Sequence, residues 1–147
     1  MQFFIPTDRQ HELPVLLVHG GGMTGSNLET TPDGRNGWLH RFLEAGFVTY
    51  IIDNTKRGRA GWCALPGEWE GTPLLRSAQQ AWVLFRFGAL ADFPSREPSD
   101  GMQFPVDAIE NFARQFVPRW TTTTEIMRAG LLAALERIGP CVVICHN

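Results

Sequence analysis

Apolar residues along this chain fall into a few short runs and a few helical stripes. Residues 1–5 carry Phe3, Phe4 and Ile5 ahead of Pro6, and read as a strand. Val15 to Val18 is an unbroken apolar run, the mark of a strand buried on both faces. Trp38, Leu39, Phe42, Leu43 and Ala45 recur at helical spacing, with Gly46 where a helix-ending glycine belongs, predicting a helix over 36–45. Residues 47–53 are β-branched and aromatic, predicting a strand with Asp53 at its carboxyl end. Strand, helix and strand make a βαβ unit. Further on, 77–87 and 105–116 read as helices, the second from Val106, Ile109, Phe112, Ala113 and Phe116. Thr122-x-x-Glu125 has the form of a capping box opening a helix whose apolar stripe is Ile126, Ala129, Leu132, Leu135 and Ile138. Gly139-Pro140 stops that helix, and residues 141–145 form a third buried strand.

Between the strands, the glycine loop carries the chemistry. His19 is followed by Gly20, Gly21 and Gly22, then Met-Thr-Gly25. Glycine lets a ligand approach bare backbone N–H groups, and a strand ending in free amides can hold an oxyanion. The competing reading is an ordinary tight turn. Thr31-Pro-Asp-Gly34 is a turn signal, with Asp33 as its former. Residues 54–120 are too long for a plain strand-to-helix connection and should form a cap over the strand ends. Trp62, Trp69 and Trp82 belong to its core, with Trp82 the candidate for touching substrate. Asp53 more naturally caps the turn that follows it than serves the site. Arg57 and Arg59 either hold the cap by ion pairs or are solvated.

Composition narrows the partners. The chain has 147 residues, 44% apolar and 19% charged, enough for a core and against disorder. Net charge is −2 with no basic run, which argues against nucleic acid. The apolar runs are too short to cross a bilayer. No charged-then-apolar leader opens the chain, which leaves the compartment open with the cytoplasm as default. Cys63, Cys141 and Cys145 give neither a zinc spacing nor a disulfide framework, and Cys141 and Cys145 read as buried small hydrophobes. His11, His19, His40 and His146 form no metal-binding pair, so no metal and no cofactor is expected. The glycine loop lacks the spacing of a dinucleotide fingerprint and has no Walker lysine.

Several stretches together resemble the α/β-hydrolase superfamily, and within it a bacterial and fungal group of serine esterases. They are His19-Gly-Gly-Gly-Met-Thr-Gly25, Thr31-Pro-Asp-Gly-Arg-Asn-Gly-Trp38, Tyr50-Ile-Ile-Asp53 with Arg57-Gly-Arg59, Ala81-Trp-Val-Leu-Phe-Arg-Phe-Gly88, Gln103-Phe-Pro-Val106 and Val117-Pro-Arg-Trp120. The resemblance implies a partial α/β-hydrolase fold: a mostly parallel sheet flanked by helices, with a helical cap insertion. It divides the chain into 1–53 (core), 54–120 (cap) and 121–147 (core helix and the strand leading to the nucleophile elbow). It implies a carboxylic-ester hydrolase working through a serine acyl-enzyme on a small-molecule ester. Gly21, with Gly22 beside it, would supply oxyanion N–H groups; His19 and His146 would flank the site and orient its loops. The nucleophile's place is position 147, which is asparagine here, and an amide cannot accept an acyl group. The triad acid and histidine would lie further on. The expectation is therefore an inactive N-terminal half of an esterase. The alternative is a non-catalytic ligand-binding or interaction protein on the same scaffold.

Overall fold

A computed structural model describes residues 1–61 and 69–146. Four strands form one mixed sheet in the order β1-β3-β2-β4: β1 is Gln2–Phe4, β2 Val15–Val18, β3 Thr49–Ile52 and β4 Val142–Cys145. β1 runs antiparallel to β3, whereas β3 and β4 both run parallel to β2. Helix α1 (Trp38–Glu44) joins β2 to β3, completing the expected βαβ unit. Helices α2 (Ala78–Leu84) and α3 (Ile109–Ala113) lie in the long span after β3, and α4 (Thr124–Ile138) precedes β4.

Side chains alternate across a strand, so β2 feeds two cores. Val15 and Leu17 pack with Leu28, Leu39 and Ile51 on one face, backed by Phe42 and Leu43 of α1. Leu16 and Val18 pack with Ile52 and Ala134 on the other, backed by α4. A third cluster, built on Trp82, Phe87 and Ile109, lies apart from both. It is aromatic: Phe87 stacks on Phe104 at 4.1 Å and meets Trp82 edge-on at 6.0 Å.

Helix ends explain several boundaries. α1 stops in a Schellman turn, with Gly46 at φ +83°, its N–H on Leu43 and the Phe47 N–H on Phe42. α2 stops the same way, with Arg86 N–H on Val83 and Phe87 N–H on Trp82, but here Arg86 holds the left-handed position at φ +61°. The helix expected over 105–116 is shorter: a 3-10 turn, Val106–Ala108, leads into α3. Val117 precedes Pro118, which disfavours helical geometry there.

Three expectations are corrected. The capping box lies not at Thr122 but at α2, where Ser77 and Gln80 bond each other's backbone N–H. At α4 the cap position is Thr123, whose hydroxyl donates to the Trp120 carbonyl instead. The α4 stripe is also different: Leu131, Ala134, Leu135 and Ile138 face the sheet, while Leu132 is exposed. The expected residues were spaced by three, and three residues turn a helix only about 300°, so such a row drifts off any one face. Finally, β4 is not buried. Among the described residues it pairs with β2 alone, and Val142, Val143 and Cys145 are exposed. Cys63 and Trp62 lie outside the described residues.

Candidate active site

Parallel register brings the glycine loop and the end of β4 together. Val18 sits opposite Cys145, and the His146 N–H donates to the Val18 carbonyl at 3.1 Å. Residues 19–22 and residue 146 therefore leave the sheet side by side. Gly21, Gly22, Met23 and His146 line one cavity of about 500 Å³. Its other walls are Leu74, Leu84, Phe85, Phe116 and Val117, with the guanidinium-bearing Arg76, Arg86 and Arg119. Position 147, the expected nucleophile place, lies outside the described residues.

The glycine loop is fixed from behind. His19 is buried, with both ring nitrogens engaged. Nδ1 lies 2.9 Å from the Gly20 carbonyl, which can only accept, so Nδ1 carries the proton. Nε2 accepts from the Asn54 N–H at 3.0 Å. Burial holds the ring's proton affinity below the ordinary histidine value, Arg57 adding to the effect against the pull of the Gly20 bond and Asp53. His19 is thus a neutral positioning residue and is not among the cavity-lining residues.

Arg57 completes the anchor. It is buried, and its Nη1 donates to the same Gly20 carbonyl at 3.1 Å, while Nη2 reaches Met127 Sδ of α4 at 3.5 Å. The solvated reading of Arg57 is therefore overturned: it is a strut between the loop and α4. A trans peptide sets N–H opposite C=O. Pinning the Gly20 carbonyl on His19 and Arg57 turns the Gly21 N–H away from both. Two donors on that carbonyl also polarise the peptide and strengthen its N–H as a donor.

Gly22 has φ +72°, and its carbonyl accepts from the Val117 N–H at 2.9 Å. Among the described residues, the Gly21 and Gly22 amides donate to no protein acceptor. Chemically, this is a concave site with two uncommitted backbone donors on a braced loop, able to receive a carbonyl oxygen or another negatively charged atom.

Asp53 braces the site's flank. Its buried carboxylate accepts from the Gly25 N–H at 2.5 Å and the Arg59 N–H at 3.1 Å, with Arg59 Nη1 at 3.4 Å. Burial pushes this carboxyl up, but the Gly25 and Arg59 amides, with the nearby positive charge, more than offset it and hold it below the usual carboxylate range. Asp53 is a turn clamp, and it does not line the cavity. Arg59 pairs with Glu29 at 2.6 Å as well. Asp33 does form its turn, accepting from Thr31 Oγ1 and Arg35 Nε.

Trp82 does not reach the cavity. It is buried inside the aromatic cluster with Nε1 donating to the Ala89 carbonyl at 2.9 Å. Trp69 meets Trp120 edge-on at 5.0 Å, with Lys56 Nζ over both rings. The residues that sequence reasoning missed are arginines. Arg119 and Arg86 each lie in a quoted stretch, but nothing in spacing alone separates a cavity-lining arginine from a solvated one.

No family model matches the chain. Over 59 residues, 40% of this chain and 16% of the relative, it is 42% identical to a probable secreted lipase, phiG, of Fungal sp. (strain ATCC 74256). A solved structure described as a novel bacterial esterase superposes with a TM-score of 0.81 at 32% identity. That match covers 99% of this chain and 48% of the esterase, so the chain spans about half the esterase's length. In sequence and in fold, this chain is similar to hydrolases of the esterase and lipase kind.

Proposed function

We propose that this chain forms the oxyanion-binding half of a carboxylic-ester hydrolase. The observation that carries the reading is the uncommitted pair of amides at Gly21 and Gly22, set beside His146 by the Val18–Cys145 register. In this reading the ester carbonyl oxygen lies on those amides, which stabilise it as charge develops. Loss of one such donor costs about 3–4 kcal/mol of barrier. His19 and Arg57 hold the loop rigid so that no reorganisation is needed during reaction. Residues 54–120 act as the cap, and the apolar wall around Leu84, Phe85 and Phe116 takes the acyl or alcohol group.

The attacking serine's place is position 147. Asparagine there has neither an ionisable hydroxyl nor a route to an acyl-enzyme, so the 147-residue chain does not turn over by itself. That residue also favours a second reading, a non-catalytic protein that binds a carboxylate or similar small ligand on the same loop.

The test is a chimera joining residues 1–146 of this chain to the second half of the bacterial esterase. It should hydrolyse p-nitrophenyl butyrate, and Gly22→Ala should reduce kcat while leaving the melt cooperative. A folded chimera with no activity above buffer overturns the esterase reading and leaves the binding one. Labelling of the unmodified chain by a fluorophosphonate probe overturns the claim that it is inactive.

A further inference from the structure

We infer that the cavity selects a substrate whose non-reacting end carries a carboxylate; this deepens the esterase reading and rests on it. Three arginines, Arg76, Arg86 and Arg119, line the cavity, and among the described residues no aspartate or glutamate does. The arginines with a carboxylate partner among the described residues (Arg35, Arg41, Arg59, Arg96 and Arg128) all lie outside it. By contrast, the guanidinium groups of Arg76, Arg86 and Arg119 donate to no protein acceptor among the described residues.

The backbone of two of these arginines is fixed. Arg119 exchanges both backbone hydrogen bonds with Leu74, at 2.8 and 2.9 Å, which sets the two residues together on the cavity wall. Its guanidinium lies against Gly21: a Cβ there would sit 3.1 Å from Nη1. Arg86 occupies the left-handed position of the Schellman turn, where glycine is the usual residue, as at Gly46. Keeping an arginine there is strained, and strain kept at a cavity wall suits a functional side chain.

A fourth arginine adds to the positive charge near the cavity. Buried Arg57 lies just behind the loop, close enough to Arg119 for the two cations to repel, which adds to the effect of burial on Arg57. A guanidinium recognises a carboxylate through paired N–H donors. Apolar residues such as Leu84 and Phe116 share the wall with the arginines, so the ligand that fits has an apolar spacer between its ester and its anion. A half-ester of a dicarboxylic acid has that form.

Binding without turnover provides the test. Calorimetric titration of the 147-residue chain with 4-phenylbutyrate is compared with its neutral amide, 4-phenylbutanamide. The carboxylate should bind at least about tenfold tighter, a gap that high salt narrows. Arg86→Gln with Arg119→Gln should erase the gap; both side chains are exposed, and near-ultraviolet circular dichroism checks that the variant is folded. Equal affinities, no binding of either compound, or a preference that survives the double substitution would overturn the inference. The esterase reading is decided separately, by the chimera on a neutral ester. Activity there with no carboxylate preference here sinks only the present proposal.

Discussion

Replacing Asp53 by asparagine tests the brace beside the site at nearly constant volume. The carboxylate offers two oxygens, and it uses both: Oδ1 for the Gly25 N–H, Oδ2 for the Arg59 N–H and guanidinium. Asparagine has one oxygen, so its amide group must face a donor and leave at least one buried N–H unpaired. That omission costs about 1–3 kcal/mol. Arg59 is 40% exposed, so loss of its ion pair with Asp53 adds at most about 1 kcal/mol. The sum, about 1–4 kcal/mol, should lower Tm by roughly 2–16 °C for a domain of this size. Urea unfolding followed by tryptophan fluorescence, at fixed protein concentration, measures it. The pH dependence has a definite sign. A carboxyl held below its unfolded value of 3.8 stabilises the fold above that pH and loses the contribution as pH falls through the lower, folded value. The gap between wild type and variant should therefore narrow below pH 3.8. A variant within about 0.5 kcal/mol of wild type at neutral pH, or a gap that does not narrow in acid, would refute the clamp.

Burial depresses His19, so its contribution is complete above the ordinary value of 6.5 and drains away as pH drops below it; His19→Gln should flatten the stability profile there, as read by urea midpoints. Arg57→Met keeps the apolar stem and removes one of two donors on the Gly20 carbonyl; losing that charge-assisted bond should cost about 1.5–3 kcal/mol in chemical denaturation. In the chimera the same change should lower kcat more than it alters KM, whereas an equal fall in a merely unstable protein would track the folded fraction. Because β4 offers an unpaired edge carrying exposed valines, the 147-residue chain should self-associate in light scattering, and Val143→Lys should return it toward 16.5 kDa.

Much of the sheet was legible because burial on both faces leaves a plain signature. Val15 to Val18 and the 49–52 run could hardly be anything but strands, and β2, α1 and β3 follow from them. That the glycine loop lines a cavity was legible for a different reason: three consecutive glycines are hard to explain by packing. Legibility failed where the deciding partner is remote in sequence. Asp53 clamps Gly25, and Arg57 braces Gly20 against Met127; no local pattern encodes such meetings. At β4 the apolar run marked the strand but not its exposure here, because a valine-rich run is equally suited to an interior strand and to an edge. The reading of Trp82 as part of the cap's core agrees with its place in the third cluster, its N–H satisfied by Ala89, and it does not line the cavity.

The partnership of β4 with β2 joins segments more than a hundred residues apart. Closing so long a loop is entropically slow compared with the β2–α1–β3 crossover unit, whose strands are nearer neighbours in the chain. On that account the sheet condenses from its β1–β3–β2 side, and His146 joins the glycine loop at the cavity only in the final stage of folding. Pulse-labelled amide exchange would register this as late protection of residues 142–146 behind 49–52. Protection arriving in the reverse order would show that the ligand cleft is instead laid down at the outset.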